Sequence, residues 1–159
     1  MPEYLLIKAK KEYKEAIILF QEYAGWLAID LGFQHFSEEL ENLKTIYNAA
    51  DGGIILCKEG DNFIGCVAIR RSEENIAELK RMYVQPSHQH KGIGKNLLEQ
   101  AIALALSCKY EFIRLDTLSH MTPAITLYKK YGFYEIAAYY HNPVSTAIYF
   151  EKKLPASCF

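Results

Sequence analysis

Glu78-Leu-Lys-Arg-Met-Tyr-Val84-Gln-Pro86-Ser-His-Gln89-His-Lys-Gly92-Ile-Gly94-Lys-Asn-Leu-Leu-Glu-Gln-Ala101 is the stretch on which the reading of this chain turns. It predicts an apolar strand, a turn marked by Pro86, a loop holding Gly92 and Gly94 among basic neighbours, and an amphipathic helix. Such a junction aims backbone N–H groups and the positive end of a helix dipole at one point. Glycines there let the main chain wrap closely around an anion, so the pattern predicts a phosphate or pyrophosphate site. Two familiar glycine loops fail on spacing. A P-loop needs Gly-x-x-x-x-Gly-Lys-Ser/Thr, but Gln89 stands where the first glycine belongs and Asn96 where the hydroxyl belongs. The dinucleotide fingerprint needs a third glycine or alanine, and Leu97 occupies that place.

Working outward, the elements alternate. Tyr4 to Lys8 predicts a short strand, and Glu12 to Leu31 a helix with Ala16, Ile17, Phe20, Ala24, Leu27 and Leu31 at helical spacing. Ser37 has the character of an N-cap, with Glu38 and Glu39 in the first turn, then Leu40, Leu43 and Tyr47. Ile54 to Lys58 and Phe63 to Arg71 predict strands around the hairpin signal Glu59-Gly-Asp-Asn62, and Glu73-Glu-Asn75 turns into a strand from Ile76 to Val84. Ile93, Leu97, Ala101 and Leu104 make the buried stripe of the next helix, and Phe112 to Thr117 another strand. Thr122-Pro123 predicts a helix start with Thr122 as cap, and Gly132 its end. Phe133 to Tyr140 and Ala147 to Lys152 predict two closing strands around Asn142-Pro143. The order implies an α/β domain with a mixed sheet.

Composition bounds the rest. The chain has 159 residues, half of them apolar, with a formal charge of −1. This suits one domain, taken as residues 1–154 with a tail at 155–159. Near-neutral charge without a long basic run argues against a nucleic-acid surface. Apolar stretches such as Ile17 to Phe20 are too short for a bilayer, and no charged-then-apolar leader precedes them. Cys57, Cys66, Cys108 and Cys158 show no paired spacing, so neither a disulfide framework nor a metal site is expected; free thiols fit a cytoplasmic location.

The pattern Gln89-x-x-Gly92-x-Gly94 directly after a strand resembles the acyl-CoA loop of the GNAT superfamily of CoA-dependent N-acyltransferases. Ala124-Ile-Thr-Leu-Tyr128-Lys-Lys-Tyr-Gly132-Phe133 is similar to that family's C-terminal motif, and the element order follows the family across nearly the whole chain. The resemblance implies a single-domain GNAT-like fold, with a mixed central sheet of about six to seven strands, about four flanking helices and strands that splay apart at the acyl-CoA site. It implies acetyl-CoA as acyl donor, no metal, and transfer to an amine of a small molecule or an exposed protein amine. Many members dimerise, so a homodimer is possible, though no interface is legible here.

The resemblance also implies roles for residues. The backbone from Gln89 through His90, Lys91, Gly92, Ile93, Gly94 and Lys95 would hold the pyrophosphate, and Met82, Tyr83 and Val84 would pair with the pantetheine arm like an added strand. Ala124 and Tyr128 would line the cofactor end, with Tyr128 protonating the departing thiolate. A strand N–H near Val84 would polarise the thioester carbonyl as the amine attacks directly. An amine near pKa 10.4 must lose a proton first, and Glu78 is the candidate base; the plain alternative pairs Glu78 with Lys80 or Arg81. His120, His141 and Glu111 are weaker candidates. Met121 stands where many members carry an asparagine.

The acceptor pocket would draw on Trp26, Asp30, Phe33, Gln34, His35 and Phe36, then Tyr139, Tyr140, His141 and Asn142, with Asp30 a candidate for a cationic amine. Two rival readings stand beside the enzyme: a non-catalytic acyl-CoA-binding regulatory module, and a nucleotide-binding protein using the same loop.

Overall fold

The strands are β1 (Glu3–Leu6), β2 (Gly53–Glu59), β3 (Asn62–Glu73), β4 (Ile76–Val84), β5 (Phe112–Leu118), β6 (Tyr134–Ile136) and β7 (Ala147–Lys153). They form one sheet in the order β1-β2-β3-β4-β5-β7-β6. Only β4 and β5 run parallel; every other neighbouring pair is antiparallel. The helices are α1 (Lys10–Leu27), α2 (Phe36–Glu41), α3 (Leu43–Ile46), α4 (Ile93–Ser107) and α5 (Thr122–Lys130), with 3-10 turns at Leu31–Gln34 and Pro86–His88. This computed structural model describes residues 1–156; Cys158 and most of the expected tail lie outside the described residues.

Both faces of the sheet are covered, which is why its central strands read as continuous apolar runs. Ile54, Leu56, Cys66 and Ala68 point to one side, onto Ala16, Leu19 and Phe20 of α1. Ile55, Cys57, Val67 and Ile69 point to the other, onto Leu97, Leu98 and Ala101 of α4. Cys57, Cys66 and Cys108 are free thiols. No helix among the described residues is long and apolar enough to cross a membrane.

Four boundaries differ from expectation, each for a local reason. α1 ends at Leu27 rather than Leu31, because Ala28 turns left-handed (φ 57°) and Asp30 accepts the Gly32 N–H at 2.8 Å, opening a new turn. Ser37 does not cap α2; His35 holds that place in a left-handed conformation, and the helix breaks at Asn42, whose amide donates to the Glu38 carbonyl. Thr122 is the first helical residue of α5, and Met121 is its N-cap. β6 stops at Ile136 instead of running to Tyr140, and Tyr139 and Tyr140 leave the sheet to donate hydrogen bonds to Glu78 and Asp116, at 2.8 Å each.

The feature that shapes the site is a parting of β4 from β5. They pair only at Ile76–Phe112, Ala77–Ile113 and Glu78–Arg114, while β5 stays with β7 up to Leu118. The parting coincides with a bulge in β4. Cys66 faces Tyr83 and Ala68 faces Lys80, so Arg81 and Met82 together stand opposite Val67. Arg81 takes a left-handed backbone conformation (φ 59°), which for a bulky residue costs about 1–3 kcal/mol.

Arg81 is held there from both ends. Its guanidinium donates to the two Glu39 oxygens at 2.7 and 3.0 Å and lies over the Phe36 ring, 5.0 Å from its centroid. Its carbonyl accepts the Cys66 thiol at 3.2 Å. Tyr47 donates a further hydrogen bond to Glu39, and Glu39 and Arg81 are only 3% and 4% exposed. Removing one partner leaves a buried charge uncompensated. Glu39→Ala is expected to lower unfolding free energy by about 3–5 kcal/mol in urea melts.

Candidate active site

The loop after β4 is built as an anion cradle. Gly92 caps α4 with φ 82°, a conformation suited to glycine, and His90 is also left-handed at φ 65°. The first intrahelical bond runs from Asn96 N–H to the Gly92 carbonyl at 3.1 Å. Among the described residues the N–H groups of Gly92, Ile93, Gly94 and Lys95 therefore have no acceptor, and they converge at the positive end of a 15-residue helix. The Gln89 side-chain amide donates to the Val84 carbonyl at 3.0 Å and ties the loop back to its strand. Lys91 and Lys95 are exposed, whereas the Ile93 side chain is buried in the core.

A cavity of about 300 Å³ opens in the gap between the parted strands. Met82, Tyr83, Val84, Gln89, His90, Gly94, Ala124 and Tyr128 all line it, so the structure brings most of the expected set together. The N–H of Gln85 donates to Ile64 at 2.9 Å, which makes Val84 and Gly65 a non-hydrogen-bonded pair. The Val84 N–H thus points away from β3 and into the gap.

Tyr128 is 5% exposed, with its ring packed on Phe133 and Phe150. Among the described residues its hydroxyl has no hydrogen-bond partner. Burial pushes its pKa well up, so the group stays protonated.

Glu78 sits differently from the expectation. It is not among the lining residues, and it pairs neither with Lys80 nor with Arg81. Arg70 grips one oxygen at 2.8 and 2.9 Å and the Tyr139 hydroxyl donates to the other at 2.8 Å. Burial pushes its pKa up, but Lys80, Arg70 and Tyr139 outweigh this and hold it below the ordinary 4.5. A carboxylate closed in this way is a poor proton acceptor.

Of the expected acceptor walls, Trp26, Phe33, Gln34 and Asn142 line the cavity. Asp30 does not, being used in its turn, and Phe36 lies beneath Arg81. His35, Tyr139, Tyr140 and His141 also stand outside the lining. His120 is exposed at the rim beside Met121, and Glu111 is exposed elsewhere.

Sequence reasoning missed Asp116, Lys80 and Glu39. Asp116 and Lys80 line the cavity on β5 and β4. Their signal was available: each is one of several charges inside a largely apolar strand, beside Glu78 and Arg81 on β4 and Arg114 on β5. Glu39 gave none, because an acid in a first helical turn has an ordinary explanation.

A splayed parallel pair leading to a helix N-terminus, with the Tyr128 side chain lining the same cavity, sets the geometry of the site. The chain belongs to the acetyltransferase (GNAT) family, whose family model matches residues 19–133. It is 32% identical over 145 residues to an uncharacterized N-acetyltransferase of Schizosaccharomyces pombe, covering 90% of this chain and 89% of that protein. In fold it is similar to a GNAT-family acetyltransferase of Staphylococcus aureus, with a TM-score of 0.80 and 21% identity, covering 98% of this chain and 100% of that one. It is also similar to a GNAT-family acetyltransferase of Elizabethkingia anophelis solved with acetyl-CoA bound, with a TM-score of 0.69 and 20% identity over 96% and 98% of the two chains. The protein is thus an enzyme of the N-acetyltransferase class, and enzymes of this family act on amines.

The closed state of Glu78 has a measurable consequence. A carboxyl held below its ordinary value adds stability that is complete above the unfolded-state value and is lost as pH falls through the folded one. Glu78→Gln is expected to unfold about 1–3 kcal/mol more easily at neutral pH. In urea melts across a pH series the difference should shrink as pH falls below 4.5.

Proposed function

We propose that this enzyme transfers the acetyl group of acetyl-CoA to a primary amine of a small molecule or an exposed protein amine by direct attack. The observation that carries this reading is the unpaired β4 edge from Leu79 to Val84, which leads straight into the four free N–H groups of Gly92 to Lys95. That edge offers the hydrogen bonds a pantetheine arm would use, and the cradle offers those a pyrophosphate would use. The residues present therefore fit acetyl-CoA, which when bound supplies the activated acyl thioester. Backbone from Gln89 to Lys95 holds the phosphates, Met82 to Val84 hold the arm, and Ala124 packs beside it. The Val84 N–H, aimed into the gap, is placed to draw electron density from a carbonyl oxygen. Tyr128, whose hydroxyl has no partner among the described residues, holds a proton in the same cavity and acts as the general acid. Glu78 fixes Arg70 and Tyr139 rather than accepting the proton of the amine.

The free Tyr128 hydroxyl favours an enzyme over a regulatory binding module. Native mass spectrometry with acetyl-CoA, followed by thiol-release assays on amine pools, tests the reading directly. Tyr128→Phe keeps the ring packing but removes the proton. It is expected to leave acetyl-CoA binding intact and to slow thiol release by about 10²–10⁴-fold.

A further inference from the structure

Six charged side chains gather around the parted strands, and four of them are closed into pairs. Arg70 is bound to Glu78, and Arg81 to Glu39. Lys80 on β4 and Asp116 on β5 remain. They line the same cavity from its two diverging walls, and among the described residues no ion pair joins them.

Neither is fully satisfied. An ammonium carries three N–H donors, yet among the described residues the Lys80 ammonium makes one hydrogen bond, to the Gln34 oxygen at 3.1 Å. That oxygen also accepts from Arg81 at 2.7 Å. One Asp116 oxygen accepts from the Tyr140 hydroxyl at 2.8 Å and more weakly from the Asn142 amide at 3.5 Å. Its other oxygen has no donor among the described residues. Gln34 in turn donates to the Tyr140 hydroxyl at 3.1 Å. The hydrogen bonds from Lys80 to Gln34, Gln34 to Tyr140 and Tyr140 to Asp116 therefore link the two charges through two neutral side chains. Burial drives the pKa of Lys80 down and that of Asp116 up; the Glu78 and Asp116 charges oppose the first shift, and the Lys80 charge and the Tyr140 hydroxyl oppose the second, without cancelling either.

Two opposite charges held apart in a half-dry cavity are costly unless something completes both. We propose that the acceptor is zwitterionic, a small molecule with an anionic group near its amine, the anion bound by Lys80 and the amine by Asp116. The inference rests on the transferase reading above and specifies its acceptor. A carboxylate, phosphinate or phosphonate can take the two spare N–H groups of Lys80. The amine can donate to the free Asp116 oxygen, which is then placed to receive its proton. Free α-amino acids are the simplest ligands of this description, and aminoalkyl phosphonates are the second source of the same chemistry.

The test is equilibrium binding to the full chain saturated with CoA, so that nothing is transferred. The ligands are the free amino acids, their carboxamides, the matching decarboxylated amines and a set of aminoalkyl phosphonates. At least one zwitterion should bind about tenfold or more tightly than its uncharged-end counterpart. Whether that ligand is a carboxylate or a phosphonate names the source. Lys80→Met should erase this preference while leaving the carboxamide unchanged, and Lys80→Arg should restore part of it. Asp116→Asn should weaken zwitterion and carboxamide alike. Thermal melts of each variant identify any that fail to fold, and Lys80→Arg, which keeps the cation, remains informative if Lys80→Met does not fold. Equal or tighter binding of the carboxamides or decarboxylated amines overturns the proposal, as does a Lys80→Met effect equal on both ligand types, or no binding by any zwitterion. Acetyl-CoA binding with thiol release to amines that lack an anion would overturn this inference alone. Failure to bind acetyl-CoA would overturn the transferase reading beneath it.

Discussion

The buried pair of Arg81 and Glu39 is the constraint from which the site follows. A left-handed arginine in the middle of a central strand is unfavourable by itself, and it stands at the bulge in the ladder with β3. It persists because the guanidinium is gripped by both Glu39 oxygens and its carbonyl by the Cys66 thiol. With the bulge in place, β4 departs from β5 after three paired residues. Main-chain donors that would have closed a parallel ladder face open space. The cavity, the free Val84 N–H and the separation of Lys80 from Asp116 lie along this one departure.

The same pair ties together parts of the chain distant in sequence. Glu39 lies on α2, a six-residue helix that propensity alone would not support. Its position is set by Arg81, by the Tyr47 hydroxyl and by Phe36 beneath the guanidinium. The short helices after α1 are thus held by polar contacts to the sheet as much as by apolar burial, and they carry Gln34 to the mouth of the gap.

Much of this was legible in the sequence where one local rule dominates. The strand, glycine loop and helix from Glu78 to Ala101 are specified by apolar run, turn residues and periodicity together, and Tyr128 follows from its place in a short motif. Where local rules compete, the reading slipped. The apolar spacing of α1 continues to Leu31, but Asp30 prefers its own turn. Tyr139 and Tyr140 have strand-forming side chains, yet two buried carboxylates draw them out of the sheet. Glu78 has the right address for a base, but its chemistry is decided by Arg70 and Tyr139, from segments the motif does not mention. Charges inside Phe112 to Leu118 and Ile76 to Val84 were visible as exceptions to an apolar pattern. Their pairing was not, because it depends on which strands part.

The two ends of the cavity are made of different material, and this bears on how such a protein can change. The end at Gly92 to Lys95 is main chain, present whatever side chains surround it provided the glycine turn is kept. The opposite end is side chain throughout: Gln34 from a 3-10 turn, Asn142 from a loop, and Lys80 and Asp116 from within β4 and β5, with Tyr140 behind them. Side-chain exchanges at the first end that keep the glycine turn leave its N–H donors in place, whereas an exchange at the second changes which groups face the cavity. A lineage carrying this architecture can therefore diversify what it modifies at almost no risk to how it is powered.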